Sequence, residues 1–265
     1  MICRSAVFLS IREKATRLPK KVLLKIAHRA VTGHLIDRLK TARLPDLLIM
    51  TTSTHPDDLV LADIAEKCDI PCFRGSEDDK LDRYLQAAHA HDVDFMVIVD
   101  GDDILCDPGY IDRVILKHLK TSADYVYCKG LPLGVGSSGF TIEALEKVCQ
   151  IKTQTDTEVW GGYFTQTGLF HVECVEVQEE LLRRPDVRMT LDYKEDFQFF
   201  NRIFEELYVP GGVFTLEEIM KLLKRRPDIT RINQGVQKLY EEHLSKHTRI
   251  SYSLQDEKGD TACVF

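Results

Sequence analysis

The 265-residue sequence predicts an α/β fold, with a mostly parallel central sheet and helices on both faces. Short apolar runs sized for buried strands alternate with amphipathic stretches at helical spacing through the first half of the chain. That βαβα order belongs to sheets whose parallel strands are joined by crossover helices. Two of the apolar runs also end in charged clusters, one basic and one acidic, where open α/β sheets gather their ligands.

Taken in order, residues 6–11 form the first strand, built on Ala6-Val7-Phe8-Leu9. Residues 21–40 mix a turn with a helix on which Val31, Leu35 and Leu39 recur at four-residue spacing. Residues 46–52 hold the second strand, and His55-Pro56-Asp57-Asp58 is a start signal for a helix over 59–68. A short strand at 70–73, a helix at 79–90 and a strand at 94–100 follow. Next come a helix at 108–120, with Asp107 as its N-cap, and a strand at 124–128. Residues 130–139 carry four glycines and a proline and are expected to be a mobile loop. Beyond it the sequence predicts a helix at 141–150, a polar loop at 152–157 and a strand at 169–177. A short strand at 189–192 then precedes a helix at 193–207, and Val209-Pro210-Gly211-Gly212 breaks the chain. Helices at 216–225 and 234–245 complete a single domain over 1–245, whose C-terminal helices begin at about 214. Residues 246–265 read as a polar tail of the kind that stays disordered.

Composition narrows the functions. Apolar residues make up 44% of the chain, enough for a globular core. A net charge of −7 argues against a nucleic-acid binder, while leaving room for a small anion at a local basic site. The eight cysteines form no paired metal motif and read as free thiols in a reducing compartment. His28, His34 and His55 are isolated, and His89 and His91 share a helix end, which is not metal-ligand spacing. With no signal peptide and no long apolar span, the expected location is the cytoplasm, without membrane contact.

The basic cluster follows the first strand: Arg12, Lys14, Arg17, Lys20 and Lys21 fall within ten residues. Such cations offset charge that develops on a phosphate, although a run of this kind also serves as a solvated loop ahead of a helix. It lacks the glycine pattern of a Walker loop. The acidic cluster, Asp100, Asp102 and Asp103, ends the strand Val97-Ile98-Val99, and Asp192 ends another. Two carboxylates from separate strands, with phosphate oxygens, make a natural Mg²⁺ site, and an Asp-rich turn that caps a helix is the plainer reading. In a third cluster, Ser76 reads as a helix cap, and Arg74, Ser76 and Arg83 as groups able to read a base edge. Trp160, beside Gly161-Gly162, is a core residue or a pocket wall.

In chain order, several segments together resemble one family. They are Arg12 with Thr16-Arg17-Leu18-Pro19 and Lys21-Val22-Leu23; Phe73-Arg74-Gly75-Ser76-Glu77-Asp78-Asp79 with Leu81-Asp82-Arg83-Tyr84; and Gly101-Asp102. Asp107-Pro108 with Ile111-Asp112, Arg188-Met189-Thr190-Leu191-Asp192 and Phe214-Thr215-Leu216-Glu217-Glu218-Ile219 continue the series. The chain resembles the cytidylyltransferase family that includes spore-coat polysaccharide protein F and the CMP-sugar-acid synthetases. The resemblance spans about residues 5–233.

The resemblance implies a nucleotidyltransferase fold related to the glycosyltransferase A folds. It implies CTP and Mg²⁺, with CMP passed to a small acceptor for surface-glycan biosynthesis and pyrophosphate released. The acceptor so implied is a sugar acid or another phosphorylated or acidic metabolite. Arg12, Lys21 and Asp102 would be the catalytic set, with Lys14 and Arg17 beside the triphosphate and Asp100 near the nucleotide. Arg74, Ser76 and Arg83 would lie near the base, and Asp102 and Asp192 would carry the metal. Relatives are commonly dimers, so a homodimer is expected. Two departures stand out. Lys14-Ala15 and Lys20 replace small residues and a glycine in the basic loop. Pro132-Leu133-Gly134-Val135-Gly136-Ser137-Ser138 lacks the arginine and both acids of its counterpart, which points to an acceptor other than a nine-carbon sugar acid. Asp100-Gly101-Asp102 keeps open a nucleotide-sugar glycosyltransferase on the same fold, and the altered loops keep open a non-catalytic nucleotide binder.

Overall fold

In β1 (Ser5–Ser10) every residue is buried, and successive side chains point to opposite sides. Val7 and Leu9 enter one hydrophobic cluster, Ala6 and Phe8 the other. A strand apolar on both faces needs cover on both, which sets the layering of the molecule. The computed structural model describes residues 3–247, 250–255 and 261–264.

A hairpin, β2 (Lys25–Ile26) and β3 (Arg29–Ala30), leads into α1 (Val31–Leu39). Then come β4 (Leu47–Ser53), α2 (Leu59–Lys67), β5 (Cys72–Gly75), α3 (Lys80–His91), β6 (Phe95–Asp100) and α4 (Pro108–Thr121). The second half holds β7 (Tyr125–Lys129), β8 (Ser138–Thr141), α5 (Ile142–Ile151), α6 (Gly161–Thr165) and β9 (Val172–Glu176). It ends in α7 (Lys194–Leu207), α8 (Leu216–Arg225), α9 (Pro227–Arg231), α10 (Gln237–His247), β10 (Tyr252–Gln255) and β11 (Thr261–Val264).

Seven strands form one sheet in the order β5-β4-β1-β6-β8-β7-β9. β1 pairs in parallel with β4 and β6, β4 with β5, and β7 with β9. Only β8 runs antiparallel, between β6 and β7. Leu35 of α1, Leu61 of α2, Ile111 of α4 and Ile203 of α7 cover one face; Tyr84 of α3, Leu145 of α5 and Tyr163 of α6 cover the other. The mostly parallel sheet with helices on both faces is therefore as the sequence predicts. The chain leaves β1 for β4 and β5 on one side and returns to β6 on the other. The crevice between the carboxyl ends of β1 and β6 is thus a topological switch point.

Several expectations need correction. Residues 130–139 are not simply a mobile loop. Ser138 begins β8, and the stretch before it is tied down by Leu133 N–H to Val187 O (2.9 Å), Met189 N–H to Leu133 O (2.7 Å) and Asp107 N–H to Val135 O (2.9 Å). Gly139, which argues for a loop, sits there because a Cβ would lie 2.7 Å from the Phe95 ring. Residues 189–192 form no strand: one bridge at Arg188 meets Leu133, and Leu191 N–H bonds to Asp102 O at 2.9 Å. The N-cap of α3 is Asp79, which accepts from Asp82 N–H at 3.1 Å, while the Ser76 hydroxyl accepts from Asp79 N–H. Asp107 caps α4 as expected, accepting from Tyr110 N–H at 3.1 Å. In the stretch expected as a tail, β10 pairs with β11, and Ile250 and Tyr252 are buried in the second cluster. Residues 248–249, 256–260 and 265 of that stretch lie outside the described residues.

Candidate active site

A cleft of about 610 Å³ opens at the switch point. The segment after β1 supplies Arg12, Lys14, Arg17 and Lys21 to its wall, and the end of β6 supplies Asp100, Asp102 and Asp103. The extended segment before α7 brings Thr190 and Asp192 across from them. Parallel pairing sets this meeting: Ser10 is in register with Asp100, so both strands release their following residues at one level.

At the centre lies Lys21. Its ammonium donates to Asp102 Oδ2 at 2.6 Å and to Asp192 Oδ1 at 2.9 Å. Arg17 Nη2 donates to the same Asp192 oxygen at 2.5 Å, and Arg188 Nη2 to its other oxygen at 2.9 Å. Asp196, fully buried, accepts from Arg188 Nε at 2.9 Å and from the backbone N–H of Asp192 and Tyr193, which fixes the segment that carries Asp192. Burial alone would push the Lys21 ammonium pKa down, but Asp102 and Asp192 outweigh it and hold the pKa above lysine's usual value. Burial would likewise raise Asp192, yet Lys21, Arg17 and Arg188 hold it down to about 2. Both groups are charged at neutral pH. Breaking such a buried pair costs about 3–5 kcal/mol. The exposed Lys14–Glu77 pair, at 3.4 Å, contributes about 0–1 kcal/mol.

A second ionic group lines the same cleft. Lys80 Nζ lies 3.3 Å from Asp100 Oδ1 and 3.2 Å from Glu158 Oε1. Arg12 joins it through Nη2 to Glu158 Oε2 at 2.6 Å, and its Nη1 donates to Glu77 O at 2.8 Å. Burial pushes Asp100 up despite Lys80, and burial with Asp102 and Asp100 nearby pushes Asp103 well up. Arg17 Nη1 is buried with no hydrogen-bond partner, an unspent cationic donor at the cleft.

The structure thus brings together Arg12, Lys14, Arg17, Lys21, Asp100, Asp102 and Asp192. Arg74, Ser76 and Arg83 are not in the cleft wall. Arg74 donates to Ser53 O at 3.0 Å and His55 O at 2.8 Å, and Arg83, fully buried, donates to Ser76 O at 2.6 Å. Ser76 and Arg83 bind the β5–α3 turn together, and Arg74 ties β5 to the end of β4. Lys80, Glu158, Arg188 and Tyr240 are cleft or supporting residues that sequence reasoning did not single out as site residues. Lys80 did leave a signal: a lysine directly after an N-cap opposes the helix dipole and calls for local carboxylates. Two carboxylates aimed at one ammonium, with phosphate oxygens to come from a ligand, also fit a hard divalent cation that takes few protein ligands. Among the described residues no cluster of three His, Cys, Asp or Glu stands ready as an all-protein metal site. No helix among them is long and apolar enough to cross a membrane.

A second cavity of about 310 Å³ adjoins the first past Asp100, Asp103, Leu133 and Gly134. Gly134 has φ +84°, and a Cβ there would stand 2.6 Å from Met189 O and 2.7 Å from Asp103 Oδ1. The 132–138 segment is pressed against the acidic turn at that point.

A family model described as cytidylyltransferase matches residues 6–243. An uncharacterized protein of Methanocaldococcus jannaschii is 32% identical over 234 residues, covering 87% of this chain and 95% of that protein. The spore coat polysaccharide biosynthesis protein SpsF of Bacillus subtilis is 28% identical over 224 residues, covering 82% and 92%. Among solved structures, a cytidylyltransferase from Leptospira borgpetersenii is similar with a TM-score of 0.78 at 23% identity, covering 86% of this chain and 97% of that one. That likeness bears on the fold alone.

Proposed function

The chain belongs to the cytidylyltransferase family, a family of nucleotidyltransferases, and from that premise we propose that it transfers CMP from CTP to a small acceptor in glycan biosynthesis, releasing pyrophosphate. One observation carries the assignment of roles: two carboxylates from separate segments share the Lys21 ammonium beneath a cationic loop. Arg12, Arg17 and Lys21 take the phosphate oxygens. Lys14, largely exposed, adds a mobile charge at the rim. Asp100, held by Lys80, lies toward the nucleoside. Ser76 and Arg83 shape the β5–α3 turn and Arg74 ties β5 to the end of β4, so all three act behind the base.

The acceptor oxygen attacks the α-phosphorus, and pyrophosphate leaves with the electrons of the broken bond. The chain supplies orientation and cations where negative charge gathers. Asp102 and Asp192 would hold Mg²⁺, which when bound neutralises phosphate charge and orients the triphosphate. The reading extends to a cytoplasmic location and to a homodimer, the latter resting on resemblance alone.

Pyrophosphate release measured with Mg²⁺ and CTP, UTP, ATP or GTP in turn, against a pool of sugars, sugar acids and phosphorylated metabolites, tests it. Release with CTP that requires an acceptor is the expected result. Equal release from all four nucleotides, or none together with no calorimetric CTP binding, would sink the reading.

A further inference from the structure

The second cavity differs from the first in charge. Among the described residues that line it, none is Lys, Arg or His. Its acids are Asp100 and Asp103, and its walls are Tyr125, Tyr127 and Trp160. The two tyrosine rings lie nearly parallel, with centroids 6.1 Å apart and planes 25° from each other. Trp160 stands edge-on to Tyr125 at 6.5 Å and 84°. Ser137, 8% exposed, also lines the cavity, and its hydroxyl is buried without a partner.

We propose that this cavity takes the acceptor, and that the acceptor is an uncharged polyhydroxylated compound, a sugar or polyol, rather than an acid. The inference rests on the cytidylyltransferase reading above and names its second substrate. An acceptor carboxylate or phosphate placed here would lose water beside Asp103 and the Lys80-paired Asp100, with no lining cation to pair with. A sugar ring has what the cavity asks for. Its C–H groups lie against the aromatic walls, and its hydroxyls donate to the aspartates. The cavity opens into the cleft at Asp100, Asp103, Leu133 and Gly134, so a hydroxyl can face the α-phosphorus. In the transfer, that hydroxyl oxygen bonds to the α-phosphorus and the bond from phosphorus to the β-bridging oxygen breaks. Pyrophosphate departs with the electron pair, and the hydroxyl proton is released to solvent.

The test uses the full chain with CTP and Mg²⁺, and matched pairs of acceptors: glucose with glucuronate, sorbitol with gluconate, ribitol with ribonate. 3-Deoxy-manno-octulosonate and N-acetylneuraminate serve as further acids. Pyrophosphate release and phosphorus NMR of the CMP ester are read beside calorimetric CTP binding. The expected result is a kcat/KM at least tenfold higher for a neutral member than for its acid. Leu133→Arg, which adds a cation at the mouth of the cavity, should shift that ratio at least tenfold toward the acid. Should Leu133→Arg fail to fold, Ser138→Lys makes the same change from the neighbouring strand. Preference for an acid overturns the acceptor class, as does CTP binding without turnover on any neutral compound. An unshifted ratio in the folded variant overturns the placement in this cavity. Loss of both CTP binding and pyrophosphate release instead overturns the cytidylyltransferase reading.

Discussion

Lys21 spans two carboxylates, and substitutions around it should separate chemistry from folding. Asp102 is the more exposed of the pair, and asparagine keeps an acceptor for the Lys21 ammonium. Asp102→Asn should therefore lower kcat about 10²–10³-fold or more while the circular dichroism spectrum and melting point stay near wild type. An active Asp102→Asn enzyme would remove the metal assignment. Arg188 is the opposite case, since it is buried against Asp192 and Asp196 and does not line the cleft. Arg188→Met should cost about 3–5 kcal/mol of stability in urea unfolding, because it takes the ion-pair partner from the fully buried Asp196 and one of three cations from Asp192. The cationic loop and strand-end aspartates were legible because charge at the end of an apolar run is a local pattern. Arg188 and Asp196 were not read as a support, since their pairing depends on the turn of α7 over the segment before it. Arg83 shows the reverse: a plausible ligand by type, it folds back onto its own turn.

Helix α1 carries a titratable group in an apolar setting. His34 Nε2–H donates to Ile26 O at 2.9 Å, and the ring stands edge-on to Phe204 and Tyr208. Burial holds its imidazole below the ordinary value of 6.5. The unfolded chain then takes up a proton before the folded one. Stability is thus intact above about pH 6.5 and falls below it, by up to about 1.4 kcal/mol per pH unit. Urea midpoints between pH 8 and pH 5 should show this slope, and His34→Gln should flatten it. β8 invites a packing test: Gly139→Val should cost about 1–3 kcal/mol by forcing a side chain into the Phe95 ring. The helices and parallel strands could be read from period and caps. β8 could not, because Ser138-Gly139 is turn chemistry, and its pairing with β6 and β7 is a long-range contact. The 189–192 segment misled in the other direction: its apolar residues are buried without a sheet edge to join.

Across the whole molecule, the segment after β1 brings Arg12, Lys14, Arg17 and Lys21 to one wall of the cleft, so a polyanion bound with its cation should stabilise the fold. CTP with Mg²⁺ at 100 times its Kd should add about 2.7 kcal/mol, raising the melting temperature by about 5–11 °C. Arg17→Gln should shrink that shift at the same CTP concentration. The overall architecture was legible because crossover order is a long-range pattern repeated along the chain. The boundary between the two cavities was not, since it depends on where the 132–138 segment meets the acidic turn.

The one antiparallel strand of the seven-stranded sheet also governs the order in which that sheet is made. β6 and β7 are consecutive in the chain yet do not touch; β8, made later, fills the gap between them. During synthesis, β6 stands at the border of a half-built sheet until Ser138–Thr141 arrives. At about 5–20 residues per second, that wait is about 2–8 s. For that interval Met96 and Ile98 present a naked apolar edge, the kind of surface that recruits stray strands and folding helpers. The newborn chain is at its most vulnerable after β6 is made and before its fourth-from-last described strand closes the seam.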